Sequence, residues 1–159
     1  MPEKAEAVKE GERQENVELG EYKIGEEDTV LSAQGLGSCV GVALISTSLP
    51  VAGLAHVMLP ASEEGDHAEA LLTEMIDELK EKGVSLDNIV AKIFGGAEVI
   101  DNDMDIGQEN IESAKTVLNS KGIGIAEEDV GGEKGRSIWV NCRTGKVVMR
   151  KPFEETKIF

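Results

Sequence analysis

The chain has 159 residues, 40% of them hydrophobic and only 3% aromatic, and a formal net charge of −15. That length holds one domain with an aliphatic core and is too short for two ordinary ones. The acid excess argues against nucleic acid and anionic lipid as partners, and the shortage of aromatic side chains argues against a base-stacking platform.

Residues 1–18, MPEKAEAVKEGERQENVE, are charged, lack periodicity and contain no apolar core of a signal peptide. They are expected to form a disordered acidic tail, followed by a single domain over 19–159. No apolar run approaches the roughly 20 residues needed to span a bilayer. A cytoplasmic protein without membrane insertion is therefore expected, and its two cysteines should be reduced rather than bridged. They lack the CxxC spacing of a zinc site, so no metal is expected.

The folded part should begin near Leu19-Gly20-Glu21-Tyr22-Lys23. Thr29 to Ala33 is a strand-like run leading into the glycine-rich turn Gly35-Leu36-Gly37-Ser38. Val40 to Ile45 is a second strand, Ser46 to Leu49 a loop, and Val51 to Leu59 a third strand closed by Pro60. Residues 67–82 carry the clearest helical pattern: Ala68, Leu71, Leu72, Met75, Ile76 and Leu79 share one face. Asp66 suits its N-cap, and Gly83 the residue after its last turn. Ile89 to Phe94 reads as a buried strand ending at Gly95-Gly96. A second helix is expected from about Gln108 to Ser120, with Ile111, Ala114 and Leu118 inward and Gly122 ending it. A short strand over Ile123 to Glu127 precedes the turn Gly131 to Gly135. Ser137 to Asn141 then pairs across Arg143-Thr144-Gly145 with Lys146 to Arg150. Short connections make most pairings antiparallel. The fold class is α+β, a layered α/β sandwich with largely antiparallel sheets and two main helices packed on one side.

Cys39 follows the glycine-rich turn, and His56 lies on the next strand but one. A hairpin centred on the Ser46–Leu49 loop sets Ile45 opposite Pro50 and Cys39 directly opposite His56. Directly opposed residues share a face, with Cβ atoms about 4.5–5.5 Å apart. The chemistry suits such a pair. A free thiol is mostly protonated at neutral pH, and an adjacent imidazole can take its proton. Glycines around the nucleophile allow close substrate approach and leave N–H groups for an oxyanion; the amides of Ser38 and Cys39 are the candidates. The plain alternative is a small buried cysteine and a satisfied core histidine. Cys142, at a hairpin turn, has no histidine near it in sequence, and His67 begins a helix where it should be exposed. Neither is expected to do chemistry. Gly95-Gly96 and Gly131-Gly132 lack the context of a phosphate loop.

Gly35-Leu36-Gly37-Ser38-Cys39-Val40 and Ala55-His56-Val57-Met58-Leu59-Pro60 resemble two signature segments of the CheD family. The similarity continues through Ala91-Lys92-Ile93-Phe94-Gly95-Gly96-Ala97, Ile106-Gly107 and Asn110. It ends with Glu128-Asp129-Val130-Gly131-Gly132, Gly135-Arg136-Ser137, Asn141 and Thr144-Gly145-Lys146. The resemblance implies hydrolysis of particular glutamine side chains in chemoreceptors to glutamate, without a cofactor. It also implies a Cys–His pair at Cys39 and His56, a layered fold, and a partner in the chemotaxis phosphatase CheC. Where the family typically carries a threonine that completes the site, this chain has Ala33. Ser32, re-aimed by a bulge, or a backbone carbonyl could orient His56 instead. That departure keeps a second function class open: a regulatory module without catalysis, docked on CheC or on receptor helices.

Overall fold

Runs of Val, Ile, Leu and Ala too short for helices pair into two sheets. The computed structural model describes residues 7–58, 67–98 and 106–159. In chain order the strands are β1 (Arg13–Asn16), β2 (Tyr22–Glu26), β3 (Thr29–Leu36), β4 (Val40–Ser46) and β5 (Val51–Val57). Helix α1 (His67–Glu81) follows, then strand β6 (Ile89–Gly95) and helix α2 (Ile106–Ser120). The chain finishes with β7 (Gly124–Val130), β8 (Arg136–Asn141), β9 (Val147–Arg150) and β10 (Lys157–Ile158). One five-stranded sheet has the order β1-β3-β8-β9-β10 and the other β2-β5-β4-β6-β7. Among the described residues only the β1–β3 and β6–β7 pairs are parallel. The class is α+β, with largely antiparallel sheets, as the sequence predicts.

The strand pattern explains the layers. β4 and β5 are buried along their whole length because both faces of their sheet are covered. Val40, Val42, Leu44, Ala55 and Val57 face the helices and meet Leu72, Met75, Leu79, Ala114 and Leu118. Ala43, Ile45, Ala52 and Leu54 point the other way, onto Leu31, Ile138, Val140 and Met149 of the second sheet. Each fully buried large aliphatic side chain contributes about 1.5–3 kcal/mol relative to exposure. The two apolar layers therefore fix which face of β5 looks into the space between the sheets, and His56 lies on that face, in step with Ala52 and Leu54.

Helix α1 matches the predicted range. Gly83, at φ 96°, follows its last turn, and Val84 N–H returns to Leu79 O at 3.1 Å. Asp66, Leu59 and Pro60 lie outside the described residues. Helix α2 starts at Ile106, earlier than the periodicity suggests. Gly107 lies in its first turn, where a bare Cα lets the helix pack on backbone: a Cβ there would run into Gly96 O.

Two expectations need correction. The segment read as a disordered tail is ordered from residue 7 onward; residues 1–6 lie outside the described residues. Arg13–Asn16 run parallel to Thr29–Ser32 as an edge strand, Val17 enters the inter-sheet core, and Ala7 packs with Val30, Trp139 and Val148. The strand is polar and so carries no alternating pattern; side-chain hydrogen bonds hold it. The β4–β5 register also differs, by two residues. Gly41 faces His56 and Ile45 faces Ala52. Ser46 Oγ accepts the N–H groups of Ser48 and Leu49, at 3.2 and 2.9 Å, and Pro50 has no N–H for the ladder. The loop is correspondingly longer than predicted.

Candidate active site

The segment Gly37-Ser38-Cys39 joins β3 to β4. Its three consecutive carbonyls are each engaged. Ala97 N–H donates to Gly37 O at 2.8 Å, and Gly96 N–H to Cys39 O at 2.8 Å. Asn110 Nδ2, from the first turns of α2, donates to Ser38 O at 2.7 Å. Among the described residues the N–H groups of Ser38 and Cys39 have no acceptor. Gly95, at φ 110°, makes this packing possible, because a Cβ there would stand 2.3 Å from Cys39 O. The end of β6 and the start of α2 thus clamp the loop from behind. Cys39 itself is half-buried against the inter-sheet core, and burial pushes its thiol pKa up from 9.0. The resting group is therefore a thiol that needs a proton acceptor before it can act as a nucleophile.

His56 is 7% exposed and sits across from Gly41, whose bare Cα accommodates the side chains of Ile138 and Leu36. A register slip of one residue would have turned His56 to the other face, whereas a slip of two keeps the face. Cys39 lies in the loop just before β4, and the residue opposite His56 is Gly41, so Cys39 is not the direct partner of His56 that the sequence predicts. The imidazole is oriented from the opposite side: Nδ1 lies 3.2 Å from Val17 O. A carbonyl only accepts, so Nδ1 carries a proton, and in the neutral ring Nε2 then holds the lone pair.

The remaining candidates separate cleanly. Ala33 is fully buried and faces the inter-sheet core. Ser32 points to the opposite face, where its Oγ bonds Gln14 and Asn16 rather than His56. The β3–β8 register does shift, but between Ala33 and Leu36, beyond Ser32. Cys142 is buried in the core with Sγ 3.9 Å from Ala52 O, and burial pushes its pKa up to about 12. The side chain of His67 lies outside the described residues.

The family model for CheD chemotactic sensory transduction matches residues 55–151, a span that includes His56. A probable chemoreceptor glutamine deamidase CheD from Pyrococcus horikoshii is 37% identical, over 87% of this chain and 92% of that protein. The chain belongs to the CheD family. A chemoreceptor glutamine deamidase CheD from Thermotoga maritima is 37% identical over 84% of this chain and 88% of its own length. The probable CheD from Archaeoglobus fulgidus is 39% identical over 84% and 90% respectively.

Sequence reasoning missed two structural supports around Cys39 and His56. Val17 contributes only a carbonyl, which every residue has, so no residue type signals it. The one hint is that Val17 is a buried-type side chain in an otherwise polar stretch. The second is Arg136, 2% exposed, whose guanidinium binds Asp129 Oδ1 and the carbonyls of Asp129, Gly131 and Lys134. It shapes the loop whose Gly131 N–H donates to Gly95 O at 2.9 Å. Arg136 therefore supports, at one remove, the glycine that clamps Cys39.

Proposed function

We propose that the chain hydrolyses the side-chain amide of specific glutamines in chemoreceptors, with Cys39 as nucleophile and His56 as proton carrier. What supports this reading is a half-buried cysteine in the loop entering β4, packed on the inter-sheet core, and an Nδ1-anchored histidine on the neighbouring strand β5. The names of the relatives supply the substrate class. Nε2 of His56 takes the Cys39 proton, and the thiolate attacks the carboxamide carbon. The oxyanion forms where the unengaged N–H groups of Ser38 and Cys39 can donate to it. Nε2–H then protonates the leaving nitrogen; the C–N bond breaks, ammonia departs and a thioester remains. His56 next removes a proton from water, the hydroxide adds to the thioester, and the C–S bond breaks. The products are glutamate and the restored thiol.

The test is peptide mass mapping of chemoreceptor cytoplasmic fragments after incubation. A one-dalton gain at glutamine, together with free ammonia, is expected from the native chain and not from Cys39→Ala. Equal conversion by both would sink the reading. CheC is the proposed protein partner, and the cytoplasm the proposed location. Among the described residues no helix is long and apolar enough to cross a membrane.

A second reading rests on Ala33, a methyl group where a hydroxyl would complete the site. Under it the chain docks on CheC or receptor helices without turnover. CheC binding that survives Cys39→Ala, with no deamidation by the native chain, would favour it.

A further inference from the structure

Strand β1 is held on β3 by polar groups. Gln14 Nε2 donates to Ser32 Oγ at 3.0 Å, and that hydroxyl donates to Asn16 Oδ1 at 3.3 Å. The Ser32 carbonyl accepts Val17 N–H at 2.7 Å, and Lys23 Nζ donates to Asn16 O at 2.8 Å. The chain then closes a turn. Glu21 N–H donates to Glu18 O at 3.1 Å, Glu18 N–H donates to the Glu21 carboxylate at 2.8 Å, and the Asn16 amide reaches the Glu18 carboxylate. Three bonds from this short segment land on His56. Val17 O meets Nδ1 at 3.2 Å, Gly20 N–H donates to His56 O at 2.8 Å, and His56 N–H donates to Glu21 O at 3.0 Å. Val17 is 1% exposed, so its side chain is locked in the core while its carbonyl faces the ring.

We propose that residues 14–21 form a positioning element for the reacting histidine: Ser32 and Asn16 fix the Val17 carbonyl, and that carbonyl fixes the Nδ1–H tautomer of His56. The proposal rests on Cys39 and His56 being the reacting pair. Ser32 then acts through β1, not by touching the imidazole. The physical reason is economy of conformations. A neutral imidazole exchanges its proton between two nitrogens, and with Nδ1 held by the Val17 carbonyl only Nε2 is left to take the thiol proton. Two anchors on the main chain of His56 set the ring's origin, and the third sets its rotation and protonation.

The chain has two histidines, so His67→Gln leaves His56 as the only one and makes its ring nitrogens assignable by 15N NMR. In that background the Nδ1–H tautomer should dominate in neutral imidazole. Asn16→Ala should shift the signals toward a mixture of tautomers and lower kcat roughly tenfold or more with little change in KM, the expected mark of a displaced catalytic group. Asn16→Gln, which keeps an amide acceptor for Ser32 and an amide donor for Glu18, should recover part of both. Ser32→Ala should behave as Asn16→Ala; if this buried variant fails to fold, the exposed Asn16 pair decides alone. An unchanged tautomer in Asn16→Ala, with or without a fall in kcat, overturns the proposal. Cys39→Ala serves as the control: full turnover by that variant would defeat the proposed reaction, while the nitrogen signals would still report whether the segment positions His56.

Discussion

At the scale of single residues the question is how Cys39 reacts at all. Burial raises its pKa, which by itself lowers the thiolate fraction at neutral pH. In the proposed reaction, activation comes from transfer to His56, whose ring is anchored through Nδ1. Two outcomes are expected. Cys39→Ser should lose nearly all turnover, because a hydroxyl is far harder to ionise than a thiol. Alkylation of Cys39 measured against pH should show a lower apparent pKa in the native chain than in His56→Ala, since without the imidazole only the effect of burial remains. Coincident profiles would mean that the two side chains do not communicate. Cys142 provides an internal reference: with its pKa near 12 it should stay unlabelled in the folded chain at neutral pH.

At the scale of elements the site depends on loops backed by buried polar groups. Arg136 is the clearest case, with a fully buried side chain that also pairs with Asp129. Removing one member of such a buried pair typically costs about 3–5 kcal/mol, because the acceptors it served lose their donor. Arg136→Met is therefore expected to lower stability by about 3 kcal/mol. Denaturant midpoints check this, and a midpoint near the native one would refute it. Arg136→Lys should rescue little, since one ammonium cannot reproduce a planar fork serving several acceptors. Much of this scale was legible in the sequence. The α1 stripe, the glycine before Cys39, the strand through His56 and the β8–β9 hairpin all carry apolar periodicity or turn chemistry. What was not legible lacks a pattern. β1 is polar, so its pairing comes from Gln14, Asn16 and Ser32 rather than from a hydrophobic face. The β4–β5 register turned on one serine hydroxyl and one proline. A two-residue shift preserves the strand period, so His56 keeps its inter-sheet face despite the change of register.

At the scale of the whole molecule the surplus of carboxylates dominates. The chain carries 31 Asp and Glu against 16 Lys and Arg. Many of the cations are already committed: Lys82 to Glu26, Lys92 to Glu127, Lys115 to Glu128, Lys134 to Glu154, Arg136 and Lys151 to Asp129, and Arg143 to Asp28. Tyr22 gauges what remains. Its pKa is pushed from 10.0 up to about 12, first by its hydrogen bond to Glu78, then by burial, then by the charges of Glu78, Glu74 and Glu81. A folded pKa above the unfolded one gives stability that is full below about pH 10 and lost as pH rises through about 12. Cys142 has the same sign from 9.0 to about 12, so alkaline pH above about 9 should destabilise the native chain, and Tyr22→Phe with Cys142→Ala should flatten that slope. Salt acts on the same field from outside. The Debye length falls from about 8 Å at physiological ionic strength to about 3 Å at molar salt, which removes most repulsion between neighbouring surface carboxylates. The surface ion pairs also weaken, but exposed pairs contribute at most about 1 kcal/mol each. The repulsion has more members, so the balance favours the folded state at high salt. The denaturant midpoint should therefore rise from low to molar KCl. The pKa of Tyr22, the one tyrosine in the chain, should fall over the same range as the charge contributions are screened and the Glu78 hydrogen bond persists. A flat or falling midpoint would show that the carboxylates are already spaced widely enough to ignore one another, and would leave the chemistry at Cys39 untouched.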